Sequence, residues 1–364
     1  MGAHPGVRGP GPVSAQARPR AQDLGIPAGA FPRGDWNAIT DVPGVRIGHA
    51  TVRDDRLSTG VTAIVPDALG PDRRWLPAGL SVGNGYGKLI GATQLVELGA
   101  LETPVLLTST LSAFRVADAL VGYLLEQPWH AGTTTLNPVV GETNDGFLSD
   151  IRSRPVGDAQ VRDALGAASG GPVEEGSIGA GTGTVALGYK GGIGTASRIV
   201  EVGGRTCTVG AIVQSNYTGT MQLAGVPLPA DELLDAEPAE TIGNSCMIIV
   251  ATDAPLDGRQ LGRVANRAVF ALRGTGSDFA QGSGDYAIAF SVGEGRAPDD
   301  DVLSPAFLAT MEAVEEALVN SVLRAETRIG FEGRTARAIP IDRVRERLLR
   351  AGAVPPGPLP RLRP

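Results

Sequence analysis

The stretch Gly243-Asn244-Ser245-Cys246-Met247-Ile248-Ile249-Val250-Ala251 constrains this chain most, because a turn-forming pair runs into an apolar segment that reads as a buried strand. Ser245 opens that strand, at the point where a pliant bend meets the core. Gly243 tolerates backbone conformations closed to other residues and lets a peptide bond sit strained in a tight bend. The Ser245 hydroxyl can then attack the carbonyl carbon of Asn244, shift the acyl group from nitrogen to oxygen, and lose it to water. Such a cut leaves Ser245 with a free α-amine, whose ordinary pKa of about 7.7 to 8 suits a general base near neutral pH. One residue then supplies nucleophile and base together. An ordinary Gly-Asn turn ahead of a core strand fits the same local sequence.

Elsewhere the pattern is mixed. Helical periodicity covers Lys88 to Ala100, Ala113 to Glu126, Leu261 to Leu272, Pro305 to Arg324 and Ile341 to Arg350. Apolar, β-rich runs cover Val61 to Val65, Val105 to Leu107, Thr184 to Tyr189, Thr206 to Val213, Met247 to Ala251 and Tyr286 to Val292. Helices interspersed with strands build layered sheets covered by helices, an α/β or α+β class. The acidic, proline-containing segment Gly225 to Ile242 reads as an exposed loop leading to the cleavage point. The first 25 residues, rich in Pro, Gly, Ala and Arg, lack the apolar core of a secretory signal and read as a disordered extension, and the tail from Pro355 as a loose end.

Composition narrows the function classes. With 42% hydrophobic residues and no run near 18 consecutive apolar positions, the sequence predicts a soluble globular protein without a membrane segment. A net charge of −7 argues against nucleic acid as a partner. Cys207 and Cys246 are the only cysteines, too few and too far apart to staple a chain this long, which predicts a reducing, cytoplasmic setting. Cys246 follows Ser245 and so points to the opposite face of the strand. The histidines, His4, His49 and His130, have no metal-ligand spacing, leaving zinc hydrolysis and a Ser-His-Asp triad little support; no metal or cofactor is expected. The glycine-rich blocks Gly83-Asn84-Gly85-Tyr86-Gly87 and Gly179-Ala180-Gly181-Thr182-Gly183 lack the features of a nucleotide loop, although Gly181 to Gly183 can line a substrate cleft.

Other blocks along the chain carry a resemblance. Asp41-Val42-Pro43-Gly44-Val45-Arg46-Ile47-Gly48-His49, Val140-Gly141-Glu142-Thr143-Asn144-Asp145-Gly146, Lys190-Gly191-Gly192-Ile193-Gly194-Thr195-Ala196-Ser197-Arg198, Val213-Gln214-Ser215-Asn216-Tyr217 and Gly284-Asp285-Tyr286-Ala287-Ile288-Ala289-Phe290-Ser291 occur in that order. With the Ser245 segment, they make residues 36 to 330 resemble the DmpA-type L-aminopeptidase/D-esterase family, also known as β-peptidyl aminopeptidases. The resemblance implies a four-layer α-β-β-α sandwich, shared with ornithine acetyltransferases. It also implies self-cleavage between Asn244 and Ser245 into a large subunit, 26–244, and a small one, 245–364, which form one catalytic domain. Processed heterodimers of this family assemble into homo-oligomers.

Carried over by position, the family's nucleophile falls on Ser245 and its oxyanion-stabilising asparagine on Asn216. Ser283 and Asp285 match the serine and carboxylate beside the nucleophile; one residue apart on a strand, they should leave the same face and reach one pocket. Glu142 matches the anchor for the substrate's free amino group, which implies an aminopeptidase acting on short peptides, amino-acid amides or esters. Each of these has an ordinary reading as well: Asn216 as a turn residue after a strand, Ser-x-Asp as a surface turn, Glu-Thr-Asn-Asp as a helix start or turn. An acyltransferase of the ornithine acetyltransferase type is the alternative activity, against which stands Ser245 where those enzymes use threonine. A non-catalytic relative is a further alternative, against which stands the presence of Ser245, Asn216, Ser283 and Asp285 together.

Overall fold

The computed structural model describes residues 18–27, 29–239 and 244–356. A smaller sheet contains β1 (Val45–Arg53), β2 (Ser58–Pro66), β5 (Val105–Ser109) and β6 (Val139–Thr143) in that order. A larger one contains β3 (Leu76–Gly85), β4 (Ala100–Leu101), β7 (Ile193–Val202), β8 (Arg205–Asn216), β9 (Asn244–Thr252) and β10 (Ser283–Ser291), arranged β4-β3-β10-β9-β8-β7. Seven α-helices lie among the described residues: α1 (Ala92–Leu98), α2 (Ala113–Leu125), α3 (Asp158–Gly166), α4 (Ala230–Leu233), α5 (Gly258–Gly274), α6 (Ser304–Leu323) and α7 (Ile341–Arg350). Within the two sheets neighbours are antiparallel except β5–β6 and β9–β10, and those parallel pairs are joined through α2 and α5, because a parallel return needs a long crossover.

The strand that opens at Ser245 is central to the larger sheet and is buried on both faces. Cys246, Ile248 and Val250 pack with Leu261, Val264, Ala268 and Leu272 of α5 and with Val314, Leu318 and Val322 of α6. Met247, Ile249 and Ala251 face the other way, against Ile64, Val105 and Leu107 of the smaller sheet. Burying one such side chain stabilises the fold by roughly 1.5–3 kcal/mol, so this strand is held from both sides. On the far side of the smaller sheet, Val116 and Leu120 of α2 and Val161 and Leu165 of α3 cover Val61, Ala63 and Leu106. The apolar spacing of α5 follows the helical period, and its start is fixed by Asp257, whose carboxylate accepts the Gln260 amide at 2.7 Å. None of the described helices is long and apolar enough to cross a membrane.

α6 lies unusually close to β7. A Cβ on Gly194 would sit 1.9 Å from the carbonyl oxygen of Ala317, so only glycine permits this approach. Four residues on, Arg198 is fully buried and its guanidinium meets Glu312 at 3.2 Å and Glu316 at 2.8 Å, both on α6. Arg33 adds a second cation to Glu316 at 3.0 Å, and Asn37 donates to it at 2.9 Å.

Several sequence expectations are corrected. Helix spans only Ala92–Leu98 of the expected 88–100, because Gly91 and Gly99 take left-handed conformations at its two ends. The expected strand from 184 to 189 is instead a reversal, Val185–Ala186 against Tyr189–Lys190, turned by Leu187 and Gly188 at positive φ. The segment from 225 is no simple loop: Val226–Leu228 pairs with Met221–Leu223, and α4 follows with Leu233 buried. Its last part, 240–242, lies outside the described residues, as does Gly243. Of the expected loose extension, residues 18–25 are packed: Ala21 and Leu24 join the core beneath α6, and Arg18 donates to the carbonyls of Leu323 and Ile339 at 2.7 and 2.6 Å. Residues 1–17 and 357–364 lie outside the described residues.

Candidate functional site

Ser245 occupies the N-terminal end of β9, where the strand leaves the core. Antiparallel register sets it opposite Asn216, the last residue of β8, so these two side chains share a face of the sheet. Its hydroxyl donates to the carbonyl oxygen of Asn244, folding the side chain back over the peptide that joins the two residues. Cys246 goes to the opposite face as expected, and burial pushes its thiol well above the ordinary range, which denies it a reactive thiolate.

Asn216 is buried, and its side-chain oxygen accepts the backbone N–H of Val185 at 2.9 Å. An N–H can only donate, so the oxygen end of the amide is fixed by that bond and the Nδ2 end is the donor end. The sequence places Val185 only within an apolar run that predicts a strand, whereas the chain reverses at Leu187 and Gly188.

Ser245 lines an open cleft with Glu142, Lys88, Thr110 and Asn144. Glu142 sits on β6, the edge of the smaller sheet, and is buried. Its Oε1 accepts the backbone N–H of Lys88 at 2.8 Å and lies 3.7 Å from the Lys88 ammonium, which in turn donates to the Thr110 hydroxyl at 2.7 Å. The sequence flagged the glycine block preceding Lys88 but gave Lys88 itself to a helix. Gly179–Gly181 and Gly183 are buried and are absent from this cleft lining; the carbonyl oxygens of Ala180 and Gly181 instead accept the Gln214 amide and the buried Lys190 ammonium, both at 2.9 Å.

Ser283 and Asp285 do share a face, and the Ser283 hydroxyl donates to Asp285 Oδ1 at 2.8 Å. Parallel register sets Ser283 beside Asn244 and Asp285 beside Cys246, with Gly284 beside Ser245. The two side chains therefore leave the sheet on the side opposite the Ser245 side chain, toward α5, and they are not part of the cleft lining. Ser283 nonetheless flanks the Asn244–Ser245 peptide itself. Burial pushes the Asp285 carboxyl up to about 6, against the pull of its Ser283 bond, and its Oδ2 has no hydrogen-bond partner among the described residues.

Comparison with known proteins agrees in one direction. Residues 37–336 match the sequence profile described as peptidase family S58. The chain is 37% identical over 372 residues to the β-peptidyl aminopeptidase BapA of Sphingosinicella xenopeptidilytica, with 91% of each chain covered. Among solved structures, the PH0078 protein from Pyrococcus horikoshii OT3 superposes with a TM-score of 0.85 at 44% identity, covering 92% of this chain and 99% of that one. The L-aminopeptidase D-Ala-esterase/amidase from Ochrobactrum anthropi, a serine aminopeptidase with a variant Ntn hydrolase fold, gives 0.86 at 35% identity over 93% and 100% of the two chains.

Proposed function

Starting from the fact that this chain belongs to peptidase family S58, a family of aminopeptidases, we propose that it is a self-processing enzyme whose nucleophile is the N-terminal serine it creates at position 245. The observation that carries this reading is the Ser245 hydroxyl folded onto its own upstream peptide, in the same cleft as the Glu142 carboxylate. In the first reaction, Ser245 Oγ attacks the Asn244 carbonyl carbon and the C–N bond breaks. The hydroxyl proton passes to the departing nitrogen. Water then hydrolyses the resulting ester, leaving a carboxylate on Asn244 and a free amine on Ser245. The products are a large subunit ending at Asn244 and a small one running from Ser245 to Pro364. They remain together as a four-layer α-β-β-α sandwich, and the processed heterodimers assemble into a homo-oligomer.

In the second reaction the new amine takes the proton of its own hydroxyl while Oγ attacks the substrate carbonyl. Asn216 Nδ2 donates to the oxygen that becomes negative. The proton is passed to the leaving amine or alcohol, and water releases the acyl group from Ser245. Glu142 pairs with the substrate's free ammonium, which restricts the reaction to amino-terminal residues of short peptides, amides and esters. Ser283, flanking the cut peptide, holds the new amine, and Asp285 favours its protonated form. The test pairs an aminoacyl p-nitroanilide with its N-acetylated counterpart: the first is hydrolysed and the second is not. Equal turnover of both overturns the aminopeptidase reading of the site.

Two variants probe the parts. Asn216→Ala should lower kcat by about 100- to 1000-fold, the usual cost of an oxyanion donor, in processed protein whose two chains are confirmed by intact mass. Asp285→Asn should move the acid limb of the kcat/KM profile to lower pH by roughly half to one unit. The sign follows because an ionised Asp285, titrating at about 6, stabilises the ammonium and so delays formation of the neutral base. An acid limb that stays in place would show that Asp285 does not act on the amine.

A further inference from the structure

The carboxylate that the proposed function gives to the substrate's ammonium already has a resident cation. Lys88 and Glu142 line the same cleft as Ser245, with Nζ 3.7 Å from Oε1. The Lys88 side chain is 40% exposed, whereas that of Glu142 is only 3% exposed. One partner is fixed and the other stands on a flexible four-carbon stem with water to retreat into. A substrate ammonium placed on Glu142 would meet the Lys88 ammonium within a few ångströms, and the repulsion between the two like charges weakens the hold of each on the carboxylate.

We propose that Lys88 is a tethered competitor for the substrate's amino group, occupying the Glu142 anchor between turnovers and lowering the affinity for amino-terminal substrates. The reading rests on the anchoring role proposed for Glu142. The Thr110 hydroxyl, at 2.7 Å from Nζ, holds the lysine in its occupying position. Orientation of the carboxylate does not depend on that side chain, because the Lys88 backbone N–H reaches Oε1 at 2.8 Å whatever residue stands there. Substitution therefore removes the competing charge and leaves the anchor in place.

The experiment uses processed full-length protein, with an aminoacyl p-nitroanilide as substrate and a primary alkylammonium as competitive inhibitor. Lys88→Met should lower KM and the inhibition constant together, by about twofold to fivefold, as expected for breaking a partly exposed ion pair, with kcat moving much less. Lys88→Arg, which keeps a cation able to grip a carboxylate, should leave both constants at or above the wild-type values. A Lys88→Met enzyme with KM and inhibition constant unchanged or raised overturns the proposal. Glu142→Gln separates the two levels: raised constants there, with no gain in Lys88→Met, sink the competitor alone, whereas unchanged constants in Glu142→Gln sink the anchor on which it rests.

Discussion

Ser245→Ala should yield a single 364-residue chain on a denaturing gel, where the proposed cut would divide the wild type into chains of 244 and 120 residues. The substitution removes the oxygen that lies against the Asn244 carbonyl and leaves the rest of β9 in place, since the residues that anchor this strand are Met247 to Ala251. Folding should therefore survive, with circular dichroism and melting temperature close to those of the wild type. Hydrolysis of an aminoacyl amide should fall to background, because the proposed nucleophile and base are lost together; in the serine protease subtilisin, removing the nucleophile alone costs about 10⁶-fold in kcat. Ser245→Cys is the informative companion. It keeps a nucleophile at the same atom position, so slow cleavage followed by weak turnover is expected. Should Ser245→Ala still split between 244 and 245, the cut owes nothing to the hydroxyl.

Glu316→Ala destabilises the protein by about 3–5 kcal/mol, measured as a lowered denaturant midpoint with unchanged slope. Glu316 is enclosed at the centre of α6, and its carboxylate faces Arg198 at 2.8 Å and Arg33 at 3.0 Å. Arg198 is itself buried, so the variant leaves a desolvated guanidinium with Glu312 as its remaining carboxylate among the described residues. Burial raises the Glu316 carboxyl, but Arg198 and Arg33 overcome it and hold the group below its ordinary value. A depressed acid is fully stabilising above its unfolded pKa, and that contribution is lost as pH falls through its folded value. The difference between wild type and Glu316→Ala should accordingly narrow in acid and persist near neutrality. A gap that stays constant down to strongly acidic pH would remove the ion pair as its cause.

Legibility in the sequence followed physical character. β9 could be read because Met247 to Ala251 are apolar on both faces, and α5 and α6 because their apolar spacing keeps the helical period. β7 was missed: Gly194, Ser197 and Arg198 break its apolar pattern, yet all are buried, the glycine by close approach and the arginine by its carboxylate partners on a distant helix. Burial through pairing leaves no local trace. The packed segment 18–26 was concealed for a related reason, since its sparse apolar residues dock against α6, some 300 residues away. At the site, Ser245 and Asn216 were placed by resemblance and meet across one strand boundary. Ser283 and Asp285 were correctly put on a common face, but alternation along β10 cannot say which face that is relative to β9; only the register of two strands joined through α5 decides it. Lys88 escaped because its importance lies in a neighbour 54 positions away.

The order β4-β3-β10-β9-β8-β7 has a mechanical consequence once the chain is severed ahead of Ser245. The downstream fragment contributes two adjacent strands slotted between β3 and β8, both of which belong to the upstream fragment, much as a tenon sits in a mortise. Neither piece can be withdrawn without stripping the ladder bonds along both seams. Maturation by the proposed cut would thus be a ratchet: the severed halves would stay interlocked through every catalytic cycle and melt as one body, and once pulled apart in denaturant they would have no covalent tether to bring them back into register.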